Sequence, residues 1–205
     1  MKHSRIATLL LIVVPAVVSA QQMRAPTLSE MVATLRVIAD NYPPTVANEQ
    51  ERRDAVALYH RIESGLNQYV TAHETLDFNA ELLLGDVERM GHNLGVEGAG
   101  KNAITHLQKA IAIEPANPQG HHVLGQHLTT MNMTTEALPH LLLAYTLEKD
   151  DEREATTYFL AQNFYMQKQY AIALVFADRY AARKPYDRAI AMIREAAQRE
   201  IKLRQ

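Results

Sequence analysis

Six of the nine histidines lie between positions 92 and 140: His92, His106, His121, His122, His127 and His140. Imidazoles titrate near neutral pH and bind metals, so this cluster is the first place to look for acid–base or metal chemistry. On a helix, adjacent His121 and His122 point about 100° apart, and His127 lies off both faces. Spacing alone therefore converges no ligand set. Residues 95–102 read G-V-E-G-A-G-K-N. A phosphate-binding loop ends in Ser or Thr, whose hydroxyl meets magnesium, and follows a strand; Asn102 stands at that place instead. The stretch reads as a turn. Residues 73–77, H-E-T-L-D, echo a zinc-protease helix with Asp77 where the second His belongs and no third ligand in view. That segment reads as a helix end or loop. There is no cysteine, hence no thiolate nucleophile and no thiolate metal site. No G-x-S-x-G elbow appears, and Asp86, Glu88 and Asp150 do not stand out from an ordinary solvated helix surface.

These residues sit on elements that repeat. Met90-Gly91-x-x-Leu94 recurs as Leu124-Gly125-x-x-Leu128, 34 residues later, and Ala103, Leu107 and Ala110 recur as Ala137, Leu141 and Ala144 at the same shift. A third copy follows 36 residues on, as Leu160-Ala161-x-x-Phe164 with Ala173, Ala177 and Tyr180. Small residues on two helices let their backbones approach, and the alanines and leucines fall on one helical face. Pro115 and Pro185 close the first and third copies, because proline cannot continue the hydrogen-bond ladder. The pattern resembles the tetratricopeptide repeat (TPR) family, built from 34-residue helix–turn–helix units. The resemblance covers residues 84–186. It departs from the family at Leu94 and Leu128, where an aromatic is usual, and in copy three at Ala161, Ala177 and Tyr180. An unrelated bundle of helical hairpins is the alternative.

The resemblance implies a concave surface lined by set positions of each repeat's first helix. Carried over, these are Gly85, Glu88, His92, Gly95 and Val96 in copy one. Copy two supplies Gln119, His122, Gln126, Thr129 and Thr130, and copy three Ala155, Tyr158, Gln162, Tyr165 and Met166. The partner-binding groove is thus expected from Glu88, His92, Gln119, His122, Gln126, Thr129, Tyr158, Gln162, Tyr165 and Met166. Glu88 and His92 would meet His122 across neighbouring hairpins, a triad able to hold a metal or tune an imidazole. His121 takes the place of a core Trp.

The rest of the chain is helical too. Residues 27–83 form an N-terminal helical region. Thr27 and Glu30 spell a capping box ahead of a Leu28, Met31, Leu35, Ile38 stripe. A longer helix over residues 46–71 places Ala55, Leu58, Ile62, Leu66 and Tyr69 on one side. Asp187 caps a last helix over residues 187–205 with Ile190, Ile193, Ala197 and Ile201 inward, as the end of an array requires. Nothing alternates like a strand, so the expected class is all-α. Residues 1–20 combine Lys2 and Arg5, an apolar run broken by Pro15, and Val18-Ser19-Ala20. This reads as a cleaved export signal too short to span a membrane, followed by a short linker over residues 21–26. With a net charge of −2 and 47% apolar residues, the chain has no basic footprint for nucleic acid and enough apolar mass for a core.

The expectation is an exported, periplasmic or secreted TPR-like scaffold that recognises a protein or peptide in its groove, with no cofactor and no bond chemistry. A secreted metal-dependent hydrolase using the Glu88, His92, His122 face is the alternative. A structural adaptor that binds through its convex surface or N-terminal helices is a third.

Overall fold

A computed structural model of the chain describes residues 25–72 and 77–204. The export-signal reading and most of the H-E-T-L-D segment lie outside them. The described residues form helices α1 (Leu28–Ala39), α2 (Glu49–Ala72), α3 (Phe78–Asn93), α4 (Ala99–Ile113), α5 (Pro118–Thr130), α6 (Thr134–Leu147), α7 (Glu154–Met166), α8 (Tyr170–Ala181) and α9 (Arg188–Lys202). There is no strand among them. The protein is all-α, and no described helix is long and apolar enough to cross a membrane.

Local chemistry sets the helix starts. Thr27 Oγ1 accepts from the Glu30 amide while the Glu30 carboxylate accepts from the Thr27 amide at 2.8 Å, closing the expected capping box. Asp77 proves to be the N-cap of α3, accepting from the Ala80 amide at 2.7 Å, so it is no part of a metal helix. Asn117 caps α5 with Pro118 at the first turn, and Asp187 caps α9 through the Ala189 and Ile190 amides. In the long α2 the buried stripe is Ala55, Tyr59, Ile62 and Leu66. Leu58 packs at the margin of this core as expected, Tyr59 joins it, and Tyr69 is exposed. In α1 the inward residues are Val32, Leu35 and Ala39, with Met31 and Ile38 at the margin and Leu28 outside.

Successive helices pair as hairpins, α3 with α4, α5 with α6 and α7 with α8, and each hairpin packs on the next. The apolar core runs along the chain with them. Leu84, Val87 and Met90 of α3 pack with α1 and α2, Leu124 and Leu141 continue through the middle, and Ala161, Ala177 and Ile190 finish against α9. The second helices keep the 34-residue register: Ala103, Leu107, Ala110, Ala137, Leu141 and Ala144 are all fully buried. Close approach demands small residues at the crossings. A Cβ on Gly125 would lie 2.6 Å from Leu141, and one on Gly85 2.5 Å from Leu107.

The first helices follow a different register. The chain leaves α3 by bonds from the Gly95 amide to His92 O and the Val96 amide to Gly91 O. It leaves α5 by the same pair from Asn132 to Thr129 and Met133 to Leu128, and α7 by Lys168 to Tyr165 and Gln169 to Phe164. Gly95, Asn132 and Lys168 all have positive φ, as a left-handed turn residue should. The equivalent positions are therefore 37 and then 36 residues apart. Copy one carries a longer turn, with a second left-handed glycine, Gly98, before α4 begins. Gly91 consequently is not the counterpart of Gly125. Its missing side chain makes room for Tyr59 of α2, whose ring lies 2.5 Å from where a Cβ would stand.

Candidate functional site

In this register, equivalent residues of α5 and α7 line one groove of about 750 Å³. His122, Val123, Gln126 and Thr130 of α5 match Tyr158, Phe159, Gln162 and Met166 of α7, position for position. From α3 come Asp86 and Arg89, the counterparts of Val123 and Gln126. Asp40, Asn41 and Tyr42 after α1, together with Thr129, Glu154, Ala155, Tyr180, Asp187 and Ala189, complete the lining.

The α3 portion is a buried ion network. Arg89 is 2% exposed. Its guanidinium donates to Asp86 Oδ1 at 2.9 Å, to Asp40 Oδ1 at 2.6 Å and to the Asp40 carbonyl at 2.5 Å. Arg36 of α1 donates to the other Asp86 oxygen at 2.6 Å. Burial opposes ionisation of Asp86, but the Arg89 and Arg36 cations more than reverse it and hold the carboxyl below its usual range. Asn93 adds a bond to the Ala39 carbonyl at 2.8 Å. The end of α1 is thereby fastened across α3.

The α5 portion is neutral. His122 Nδ1 lies 2.8 Å from Thr156 Oγ1, and that hydroxyl donates to Glu148 Oε1 at 2.6 Å. With its hydrogen committed to Glu148, Thr156 accepts from His122, which assigns the imidazole proton to Nδ1 and leaves Nε2 as an acceptor. Burial, reinforced by Arg89, pushes the His122 pKa down to about 4, so the ring is uncharged at neutral pH. Thr156 is fully buried and bonded on both sides, so it is held as a bridge and is not presented as a nucleophile. In the α7 portion Tyr158 meets Phe159 edge-on at 5.2 Å between centroids and leans on Tyr180 at 5.4 Å. Tyr180 donates to Asp187 at 3.0 Å. Aromatic faces and the Gln126 and Gln162 amides thus alternate along the wall.

Of the ten residues expected in the groove, His122, Gln126, Thr129, Tyr158, Gln162 and Met166 line it. Thr129 is fully buried and spends its hydroxyl on the Gly125 carbonyl and Asn163, so it holds the wall together. Gln119 lines a neighbouring hollow that His122 and Glu148 share. Glu88, His92 and Tyr165 are elsewhere. Glu88 occupies the small-residue position of Gly125 and Ala161. It points into the interior and accepts from the Tyr59 hydroxyl at 2.8 Å, and burial raises its pKa. His92 sits edge-on to His127 beside Gly100, at the α3–α4 turn. Tyr165 packs on Tyr170. The Glu88, His92, His122 triad therefore does not assemble. The carboxylate near His122 is Glu148, 3.9 Å away. Among the described residues no three His, Asp or Glu side chains are grouped to hold a metal ion. The three-residue difference between copy one and the others accounts for the misplacement of Glu88.

Three more histidines of the cluster, His121, His127 and His140, are structural. His121, buried where a core Trp was expected, contacts the Pro115 carbonyl at 3.0 Å and stacks on His140. Fully buried His127 donates from Nε2 to the Gly100 carbonyl at 2.9 Å, and burial lowers its pKa to about 4. Residues 95–102 form the α3–α4 turn and the start of α4, as read. Asp40 and Arg89 escaped sequence reasoning, and Asp86 and Glu88, read there as solvated helix surface, are buried. The paired glycines Gly95 and Gly98 were the available signal, since two turn glycines announce a longer loop and hence a shifted helix. No protein-family model matches the chain, and no curated protein matches it.

Proposed function

We propose that the chain is an exported, TPR-like array of helical hairpins that holds a protein or peptide segment in the groove, acting by recognition without bond chemistry. The observation that carries this reading is the position-for-position match of α5 and α7 along one wall. His122 with Tyr158, Val123 with Phe159, Gln126 with Gln162 and Thr130 with Met166 all face the same space. A wall that repeats amide and apolar contacts at a constant step suits an extended chain, which itself repeats backbone donors and acceptors. Aromatic rings supply contact area at low entropic cost, and glutamine amides can both donate and accept. The acidic groups of the lining are spent on Arg36, Arg89, Lys184 and the α9 cap, so the groove offers its partner polar and aromatic surface.

Site-specific photo-crosslinking tests the reading. A crosslinker at Gln162 or Thr130 captures a partner segment, and the same group at exposed Gln108 of α4 does not. Equal capture at Gln108 would move the binding surface to the second helices. Export is tested separately by the N-terminus of the mature chain, expected at Gln21. A cytosolic chain still beginning at Met1 would remove that part of the proposal.

A further inference from the structure

Beside the groove, and sharing Glu154 and Tyr180 with it, α6, α7 and α8 border another cavity of about 370 Å³. It gathers three guanidinium groups in a chain whose net charge is negative. Arg153 lies over one ring, Tyr145, at 4.9 Å, and Arg179 approaches the same ring at 5.8 Å. Each arginine is anchored by part of its donor set. Arg153 bonds the Glu148 carbonyl at 2.8 Å and Asp150 Oδ1 at 2.6 Å. Arg179 donates to the Tyr145 hydroxyl oxygen, and Arg183 to the Asp150 carbonyl. A guanidinium carries five N–H groups in a fixed fork, so most of the donors around the cavity remain for a ligand. The Tyr145 hydroxyl, having accepted from Arg179, keeps its own hydrogen to give. The two carboxylates of the lining do not cancel this excess, because Glu154 is paired with Lys184 at 3.1 Å and Asp150 with Arg153.

We propose that this cavity is an oxyanion site for a phosphate group. Planar forked donors from three directions match the oxygens of a phosphate, which takes bidentate bonds that a lone lysine cannot supply. The Tyr145 ring holds two of the forks in place before the ligand arrives, so little side-chain freedom is lost on binding. Arg179 and Arg183 are solvent-exposed, which leaves the site open to a group carried by a larger molecule. The ligand class is a phosphate monoester, free or on a lipid headgroup.

The experiment uses the full chain at constant ionic strength. Inorganic phosphate is titrated by calorimetry in one arm. Sedimentation with phosphatidic-acid vesicles, against neutral phosphatidylcholine vesicles, forms the other. Saturable binding in either arm, weakened about tenfold or more in R179Q/R183Q and regained only in part in R179K/R183K, which restores the charge without the fork, is the expected result. The arm that responds names the source. Absence of saturable binding in both arms overturns the proposal. So does equal binding by wild type and the glutamine variant, or an equal loss in the Arg194→Gln control on α9. Both substituted arginines are exposed, so the glutamine variant retains its melting temperature and a negative result cannot be laid to unfolding.

Discussion

α3 and α7 occupy the same place in the first and third hairpins yet solve different problems. α7 presents Phe159, Gln162 and Met166 to open space, and Glu154 at its start is paired with Lys184. α3 puts Asp86, Arg89 and Asn93 at those positions and covers them with the end of α1. Sharing a backbone position therefore does not mean sharing an environment. The first repeated helix doubles as the floor beneath the N-terminal pair, and its outward residues become a latch. A buried charge is tolerated there because each is met twice, Asp86 by two arginines and Arg89 by two acids and a carbonyl.

The sharpest way to break this comparison is to remove the charge. Arg89→Met leaves Asp86 and Asp40 short of a cation in a covered site, and should destabilise the fold by about 3–5 kcal/mol. Gln126→Ala, at the matching position of α5, should cost about 1 kcal/mol or less. Equal losses in urea unfolding would show that the latch is ordinary surface. Acid acts next. Folded His122 and His127 stay neutral down to about pH 4, whereas unfolded imidazoles protonate near 6.5. The unfolded state then binds more protons, so stability is full above this window and falls as pH drops through it. Asp86, depressed in the folded state, extends the loss to lower pH. His122→Gln should flatten the slope between pH 6.5 and 4, measured by chemical denaturation at each pH.

Smaller effects sharpen the part the hairpins share. Ala103→Leu and Ala137→Leu should each overpack a crossing by about 1–3 kcal/mol, with Glu136→Gln within about 0.5 kcal/mol. If the second helices truly keep one register, the two alanine variants should melt alike. Smallest of all is the difference between two tyrosines on α7. Tyr165→Ala should cost about 1 kcal/mol through its lost contact with Tyr170, while Tyr158→Phe should leave the melting temperature unmoved and register only in partner binding.

The alanines and leucines of the second helices were legible because close packing leaves a one-to-one trace in residue size. The capping box at Thr27 and the Asp187 cap were legible for a similar reason, since each bond is made within four residues. Glu88 was misread because the 34-residue echo was extended from α4 back through a turn whose length differs. The Asp40, Asp86 and Arg89 network was invisible for a deeper reason. Its partners come from three separate segments, and an Asp three residues before an Arg looks the same on any exposed helix. Tyr59 joined Leu58 at the core because Glu88 and Gly91, far away in sequence, offered one group to its hydroxyl and space for its ring.

The latch also has a direction in time. Arg36 and Asp40 find their partners 50 and 49 residues further along the chain, whereas the hairpins from α3 onward find theirs in the next helix. As the polypeptide is made, α1 can pack its apolar stripe on α2, but Arg36 and Asp40 stay hydrated until α3 has emerged. The last stretches made can close almost as they appear. A helix made early is thus completed by one made two elements later.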